Sequence, residues 1–185
     1  MRASAPLLAA LALPLLAASG CATRPAIPKE AAAARPFVIE RDLAGKTVGR
    51  GRFKSITGAD RAFTAYLDGT YDGQTLILVE NFEYDDGEKD RKTWRLSKLS
   101  TGEWSGTRED VVGTARGFQD GAAFRLEYRV DIPMKSGGKR RVGFRDVLIL
   151  REDGVVYNKA NVGWRGLAAG GVELEIRRAD PPSAG

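Results

Sequence analysis

From Lys46 to Arg178 apolar residues recur at every second position, not at the three-to-four spacing of an amphipathic helix. Phe63, Ala65 and Leu67 alternate with polar neighbours, and Leu76, Leu78, Phe82 and Tyr84 share a face with Glu80. Trp94 and Leu96 alternate with Thr93 and Arg95. Phe124, Leu126, Tyr128, Val130 and Ile132 alternate with Arg125, Glu127, Arg129 and Asp131. Val142, Phe144, Leu148 and Leu150 share a face with Asp146, and Val172, Leu174 and Ile176 alternate with Glu173, Glu175 and Arg177. Successive side chains of a strand point to opposite faces, so this pattern buries one face and wets the other. Asp-Gly pairs punctuate the runs at 68–69, 72–73, 86–87, 120–121 and 153–154, with Gly-Gly at 137–138. Glycine accepts the positive φ that tight hairpins need. The spacing predicts an all-β domain over residues 37–178, with about eight to ten antiparallel strands joined in sequence. Such a meander closes into a barrel or folds into a sandwich. Closure removes exposed edges and leaves an interior, so an up-and-down barrel is the expectation.

The first forty residues carry a different signal. Arg2 is followed by an uncharged Ala/Leu/Pro run over Ala5–Ala18, shorter than the roughly 20 apolar residues of a spanning helix. It has the form of a signal-peptide apolar region. Ala18-Ser19-Gly20-Cys21 then has the form of a lipobox, where small side chains fit a protease cleft and the thiol takes a diacylglyceryl group. Cys21 is the sole cysteine of the chain, which excludes an intrachain disulfide, and a free thiol is a liability in an oxidising compartment. The expected organisation is a signal peptide over 1–20 and a lipidated Cys21 that holds the chain on a membrane. A Pro/Ala tether over 21–36 is expected to set the domain off from that membrane. The barrel follows over 37–178, and a disordered tail over 179–185. Ala22 in place of Asp after the cysteine implies, by the sorting rule of bacterial lipoproteins, the outer membrane and its periplasmic face.

The chemistry in the body is sparse. The sequence has no histidine, which removes the usual proton shuttle, serine-activating base and metal ligand. It has no phosphate-binding loop and no ligand-spaced cluster, so neither a cofactor nor a metal is expected. The formal net charge is +5, but acids interleave with the bases. The excess reads as spread thinly, a mild preference for anionic surfaces and no nucleic-acid footprint.

Glu80 and Asp146 are the sharpest positions, because each falls on the apolar face of its strand. A lone buried carboxylate is costly, so each needs a partner or a wet pocket. Candidate partners are Arg91, Lys92, Arg145 and Lys159. One reading is a polar floor that fixes a ligand head group inside the barrel; the other is a buried ion pair. Asp110-Val-Val-Gly113 reads as a strand end with a bulge at Gly113 and Asp110 bonded to turn amides. Trp94, Trp104 and Trp164, with Tyr66, Tyr84 and Tyr128, either line a lipophilic cavity or fill a core. Asn158 reads as satisfying local backbone groups.

Taken in order, Glu80-Asn-Phe82-Glu-Tyr84-Asp-Asp86-Gly87, Arg91, Trp94, Asp110-Val-Val-Gly113-Thr-Ala115-Arg-Gly117, Arg145-Asp146-Val147 and Asn158-Lys-Ala160 resemble a family of proteobacterial lipoproteins known as a domain of unknown function. The resemblance covers roughly residues 37–178 and implies a lipocalin-like, or calycin-like, barrel. The chain departs from the family at Arg145, where paired acids are common, so only Asp146 carries over. The lipocalin Gly-x-Trp element is missing; Gly51-Arg52-Phe53 is its nearest match. The resemblance brings no established activity. The combined expectation is a non-enzymatic binding module for a small lipophilic or amphiphilic ligand. Its candidate ligand-facing residues are Glu80, Asp146, Arg91, Trp94, Asp110, Tyr128 and Asn158. The alternatives are an envelope accessory protein acting through its surface, and an enzyme on the same barrel, which needs a pocket that strongly shifts the pKa of Glu80 or Asp146.

Overall fold

The computed structural model describes residues 23–32, 35–134 and 137–179, and each alternating run is a strand. The strands are β1 Gly45–Ser55, β2 Asp60–Tyr71, β3 Thr75–Tyr84, β4 Lys89–Ser100 and β5 Glu103–Thr107. They continue as β6 Ala115–Asp120, β7 Ala123–Pro133, β8 Lys139–Leu150, β9 Val156–Trp164 and β10 Leu167–Arg178. Each pairs antiparallel with the next, and β10 returns to β1, so the ten strands close into a barrel. The alternation sorts the faces as expected, with Leu76, Leu78, Trp94, Leu96, Phe124, Leu126 and Ile176 all buried. The signal peptide, Cys21 and residues 180–185 lie outside the described residues.

Aspartates fix the hairpins by accepting from turn amides, which is local chemistry written in the sequence. Asp72 accepts from the amides of Gln74 and Thr75 at 2.8 and 2.6 Å, and Asp86 from that of Glu88 at 3.0 Å. Gly73, Gly87, Gly121 and Gly154 all take positive φ in these turns. The pair Asp68-Gly69 is the exception: it lies inside β2, opposite Lys46 and Gly45 of β1. Gly69 is needed there because the backbone of Leu43 and Ala44 occupies the space where a Cβ would stand. The bulge expected after Asp110 is instead a loop between β5 and β6, tied down by a bridge from Val111 to Val130, with Gly113 at φ 74°.

One end of the barrel is plugged and the other is open. The single-turn helix α1, Ile39–Asp42, and its flanks seat Phe37, Ile39 and Leu43 in the same core as Leu76, Phe124 and Ile176. Asp42 fastens the plug: it accepts from the amide of Val38 at 2.7 Å and from both terminal nitrogens of Arg35 at 2.9 and 2.7 Å.

The segment expected to be a free tether lies on the outer wall. Ala31 is buried against Ala123, Val147 and Ile149. Asn161 donates to the Thr23 carbonyl at 2.8 Å, Arg125 donates to the Pro25 carbonyl, and Arg24 pairs with Glu127. Its physical reason is an apolar strip, Val147 and Ile149, that β8 turns outward and that needs cover.

Gly69→Ala forces the plug segment away from β2 and is expected to lower stability by about 1–3 kcal/mol. Urea unfolding of the variant against the parent measures this. Equal midpoints would mean that the contact with Leu43 is not what Gly69 serves.

Candidate functional site

Between the plug and the open end lies a cavity of about 410 Å³. Its walls are aliphatic at depth, with Leu67, Leu78, Leu126 and Leu148, and aromatic toward the mouth, with Phe53, Phe63, Phe82, Tyr84 and Phe144. Arg61 stands at the rim, stacked 3.6 Å above the Tyr84 ring and paired with Asp86 and Glu88 at 2.7 and 2.6 Å. Part-way down, a polar belt interrupts the apolar wall. Glu80, Trp94, Tyr128, Asp146 and Asn158 all line this cavity, brought there from β3, β4, β7, β8 and β9 by strand parity.

The centre of the belt is Arg108, which follows β5. The parity of Trp104 and Gly106 continues through it and points it inward. Its guanidinium lies 4.6 Å from the Trp94 ring centre and 5.2 Å from that of Tyr128, within cation–π distance of both. Trp94 meets Tyr128 edge-on at 5.0 Å, and Tyr128 stacks on Phe144 at 5.0 Å. Arg108 donates to both oxygens of Asp110 at 2.7 and 3.3 Å, whereas Glu80 Oε2 stands 3.8 Å away, beyond hydrogen-bond reach. Glu80 Oε2 is buried and accepts no hydrogen bond. Asp146 receives one long bond from the Asn158 amide at 3.4 Å; that amide also reaches the Val147 carbonyl at 3.3 Å.

The consequence is electrostatic. Burial pushes the Glu80 carboxyl up to about 7; Arg108 opposes this, while Asp146, Asp110 and Glu109 add to it. Burial likewise pushes Asp146 up to about 7, against the Asn158 amide, Arg108 and the Tyr128 hydroxyl. Burial and then Asp146 hold the Tyr128 phenol well above its usual range, so it stays protonated. Both carboxyls therefore titrate near neutrality.

The structure places the expected residues unevenly. Arg91 is exposed on the outer wall and leaves the site, because β4 turns its even-numbered residues inward. Asp110 lies beside the cavity and holds Arg108 in place of the expected turn amides. None of the four expected partners serves the carboxyls. Arg145 is exposed, Lys159 pairs with Glu173 at 2.9 Å, and Lys92 pairs with Asp90 at 3.0 Å and Asp110 at 3.6 Å. Among the other aromatics, Tyr84 reaches the cavity, Trp104 is buried against Tyr71 at 6.0 Å, and Tyr66 is 45% exposed outside. Trp164 sits at the rim beneath Arg140 and Arg165. Among the described residues no group of three or more acids or cysteines is placed to hold a metal.

A closed antiparallel barrel with one plugged end, one open end and an interior cavity is a lipocalin-like barrel. The chain belongs to the family described as protein of unknown function (DUF3833), whose model matches residues 15–178. Among solved structures it resembles the S-type phycobiliprotein lyase CPES from Guillardia theta, at 10% identity and a TM-score of 0.57 over 77% of this chain and 92% of that one. It also resembles Rv2717c from M. tuberculosis, at 17% identity and a TM-score of 0.55 over 75% and 94% of the two chains. At these identities the likeness is one of fold. No curated protein matches the chain.

The raised carboxyls give a signed expectation for stability. Each binds its proton more tightly folded than unfolded, so the stability it contributes is complete below the unfolded value near 4 and is lost as pH rises through about 7. Asp146→Asn removes part of that slope, and its stability relative to the parent should improve by roughly 1–3 kcal/mol between pH 5 and pH 8. Urea unfolding of both proteins at the two pH values checks this, and parallel pH profiles would contradict it.

Proposed function

We propose that this protein is a cell-envelope lipoprotein whose barrel binds one small amphiphilic molecule without converting it. The observation that carries the reading is the cavity, with its aromatic mouth and the buried, unsatisfied Glu80 oxygen at its polar belt. An apolar cavity with a few convergent polar groups is the usual form of a small-molecule site. An unmade hydrogen bond on a buried oxygen costs roughly 1–3 kcal/mol, and a ligand hydroxyl, amide or amine would relieve it. Arg108 already engages Asp110, so the belt offers no spare cation and favours a neutral or cationic head group over an anionic one. The tail of such a ligand lies among Phe63, Phe82 and Phe144. The anchor is Cys21 and the destination is the outer membrane, facing the periplasm. This is supported by the lipobox form of residues 18–21 and by a family match that extends back to residue 15.

One observation favours a second reading. Two neighbouring carboxyls near pKa 7 are matched to proton transfer at neutral pH. Burial is the largest cause of both values, which keeps binding as the conclusion. Chemical conversion of a bound amphiphile that stops in Glu80→Gln would reverse that preference.

Calorimetric titration with dodecanol, dodecylamine and dodecanoate tests the binding reading. The alcohol and the amine should bind, with dodecanoate weaker at pH 8. Val172→Trp, at a position that lines the cavity and is only partly buried, should weaken dodecanol binding by about tenfold or more, equivalent to roughly 1.4 kcal/mol. Absence of dodecanol binding, or tight binding that ignores Val172→Trp, would contradict the proposal. Cys21→Ser should leave the barrel folded and release it from the membrane, followed by fractionation. Unchanged membrane retention would contradict the anchor.

A further inference from the structure

The fold gathers five of the arginines that the sequence spreads along the chain onto one wall. A groove of about 570 Å³ crosses the outer face of β7, β8 and β9. Five arginines line it, Arg116, Arg129, Arg141, Arg145 and Arg165, against one acid, Glu127. They arrive from β6, β7, β8 and the β9–β10 turn, so no run of charge announces them. The floor is bare backbone: Gly143 of β8 stands opposite Gly163 of β9, and Arg129 of β7 stands opposite Gly143.

The charges in this trough are unequally matched. Glu127 is taken by Arg24, Arg141 by Asp131 at 2.8 Å, and Arg116 lies 3.6 Å from Glu103. Among the described residues Arg129, Arg145 and Arg165 have no acid within ion-pair distance, and all three are exposed. Arg165 is also the single described non-glycine residue at positive φ, 49°, in a tight turn with Gly166. A site that Asn or Gly ordinarily takes therefore carries a cation at the groove's edge.

The N-terminal segment leads to the same place. Thr23 is held by Asn161 and Arg24 by Glu127. Glu127, Arg145 and Asn161 form one row across the sheet, adjacent to the Gly143–Gly163 row. Thr23 and Arg24 therefore lie beside the trough.

We infer that the trough is a membrane-contact surface that takes the phosphates of anionic lipid headgroups and lays the β7–β9 wall on the bilayer. Guanidinium forks match phosphate oxygens geometrically, and basic groups at a bilayer surface gain from its negative potential. The source of lipid rests on the anchoring proposed above; the binding chemistry does not. The cavity then opens next to the headgroup layer, since Arg141 and Ile132 lie at the mouth end of β8 and β7.

The test uses unlipidated Cys21→Ser protein and cosedimentation with vesicles of phosphatidylglycerol and phosphatidylcholine, or of phosphatidylcholine alone. The protein should pellet with the anionic vesicles, and binding should weaken by about tenfold or more when salt rises from about 0.05 to about 0.5 M. Arg129→Glu/Arg145→Glu/Arg165→Glu should weaken it by at least about tenfold. The Arg→Gln triple, which nearly preserves side-chain size, should act in the same direction should the Glu triple melt early. Lys54→Glu/Arg91→Glu/Arg95→Glu changes net charge equally at exposed positions on β1 and β4 and should bind like the parent. Equal pelleting with phosphatidylcholine, or an equal loss in the control triple, overturns the inference. Neither outcome touches the anchor, whose own failure would show as a missing acyl mass on the Cys21 peptide of wild-type protein.

Discussion

The interior is organised by one unequal sharing of charge. Arg108 is the cation at the belt, and it gives its hydrogen bonds to Asp110, which stands beside the cavity. Glu80 is left at 3.8 Å and Asp146 with a single long bond from Asn158. Two carboxyls buried without a dedicated counter-ion cannot both remain charged at low cost, so burial dominates and both rise to about 7. Trp94 and Tyr128 both lie within cation–π distance of the guanidinium, at 4.6 and 5.2 Å. The proposed ligand's polar group would complete the hydrogen bond that Glu80 Oε2 lacks.

That belt depends on the barrel being closed but not full. Closure gives every strand two neighbours, so the interior wall needs no further backbone partners. The plug of Phe37, Ile39 and Leu43 packs into the core at one end and leaves the other end to aromatic side chains. Gly69 lets the plug approach β2, and Asp42 bonds it in place. On the outer wall the N-terminal segment covers the apolar strip of β8 and leaves the arginine trough uncovered beside it. The two proposed roles fall on different faces, an amphiphile in the interior and phosphate on the outer wall.

Much of the fold was legible because period-two alternation reports the face of each residue directly. The same rule placed Glu80, Trp94, Tyr128 and Asp146 inside, and applied strictly it excludes Arg91 and Arg145 as their partners; Asn158 and Lys159 lie on β9, where no alternation marks the strand. Arg108 was also within reach, by continuing the parity of Trp104 and Gly106 past the end of β5. What alternation cannot give is which residues meet across the barrel, because that depends on closure and register. The Arg108–Asp110 bond, the plug's position on Gly69 and the trough of Arg129, Arg145 and Arg165 are of that kind. Asp68-Gly69 misled as a turn signal because the glycine serves close backbone approach there and not positive φ.

The central claim is that the two belt carboxyls stay protonated far above their ordinary range in the folded barrel. Carboxyl ¹³C chemical shifts of Glu80 and Asp146, followed from pH 3 to pH 9 with single-site variants for assignment, measure this directly. Midpoints near 7 for both groups are the predicted result. Independent midpoints near 4, the ordinary carboxyl range, would mean that both groups are fully paired or hydrated and that the belt awaits no ligand.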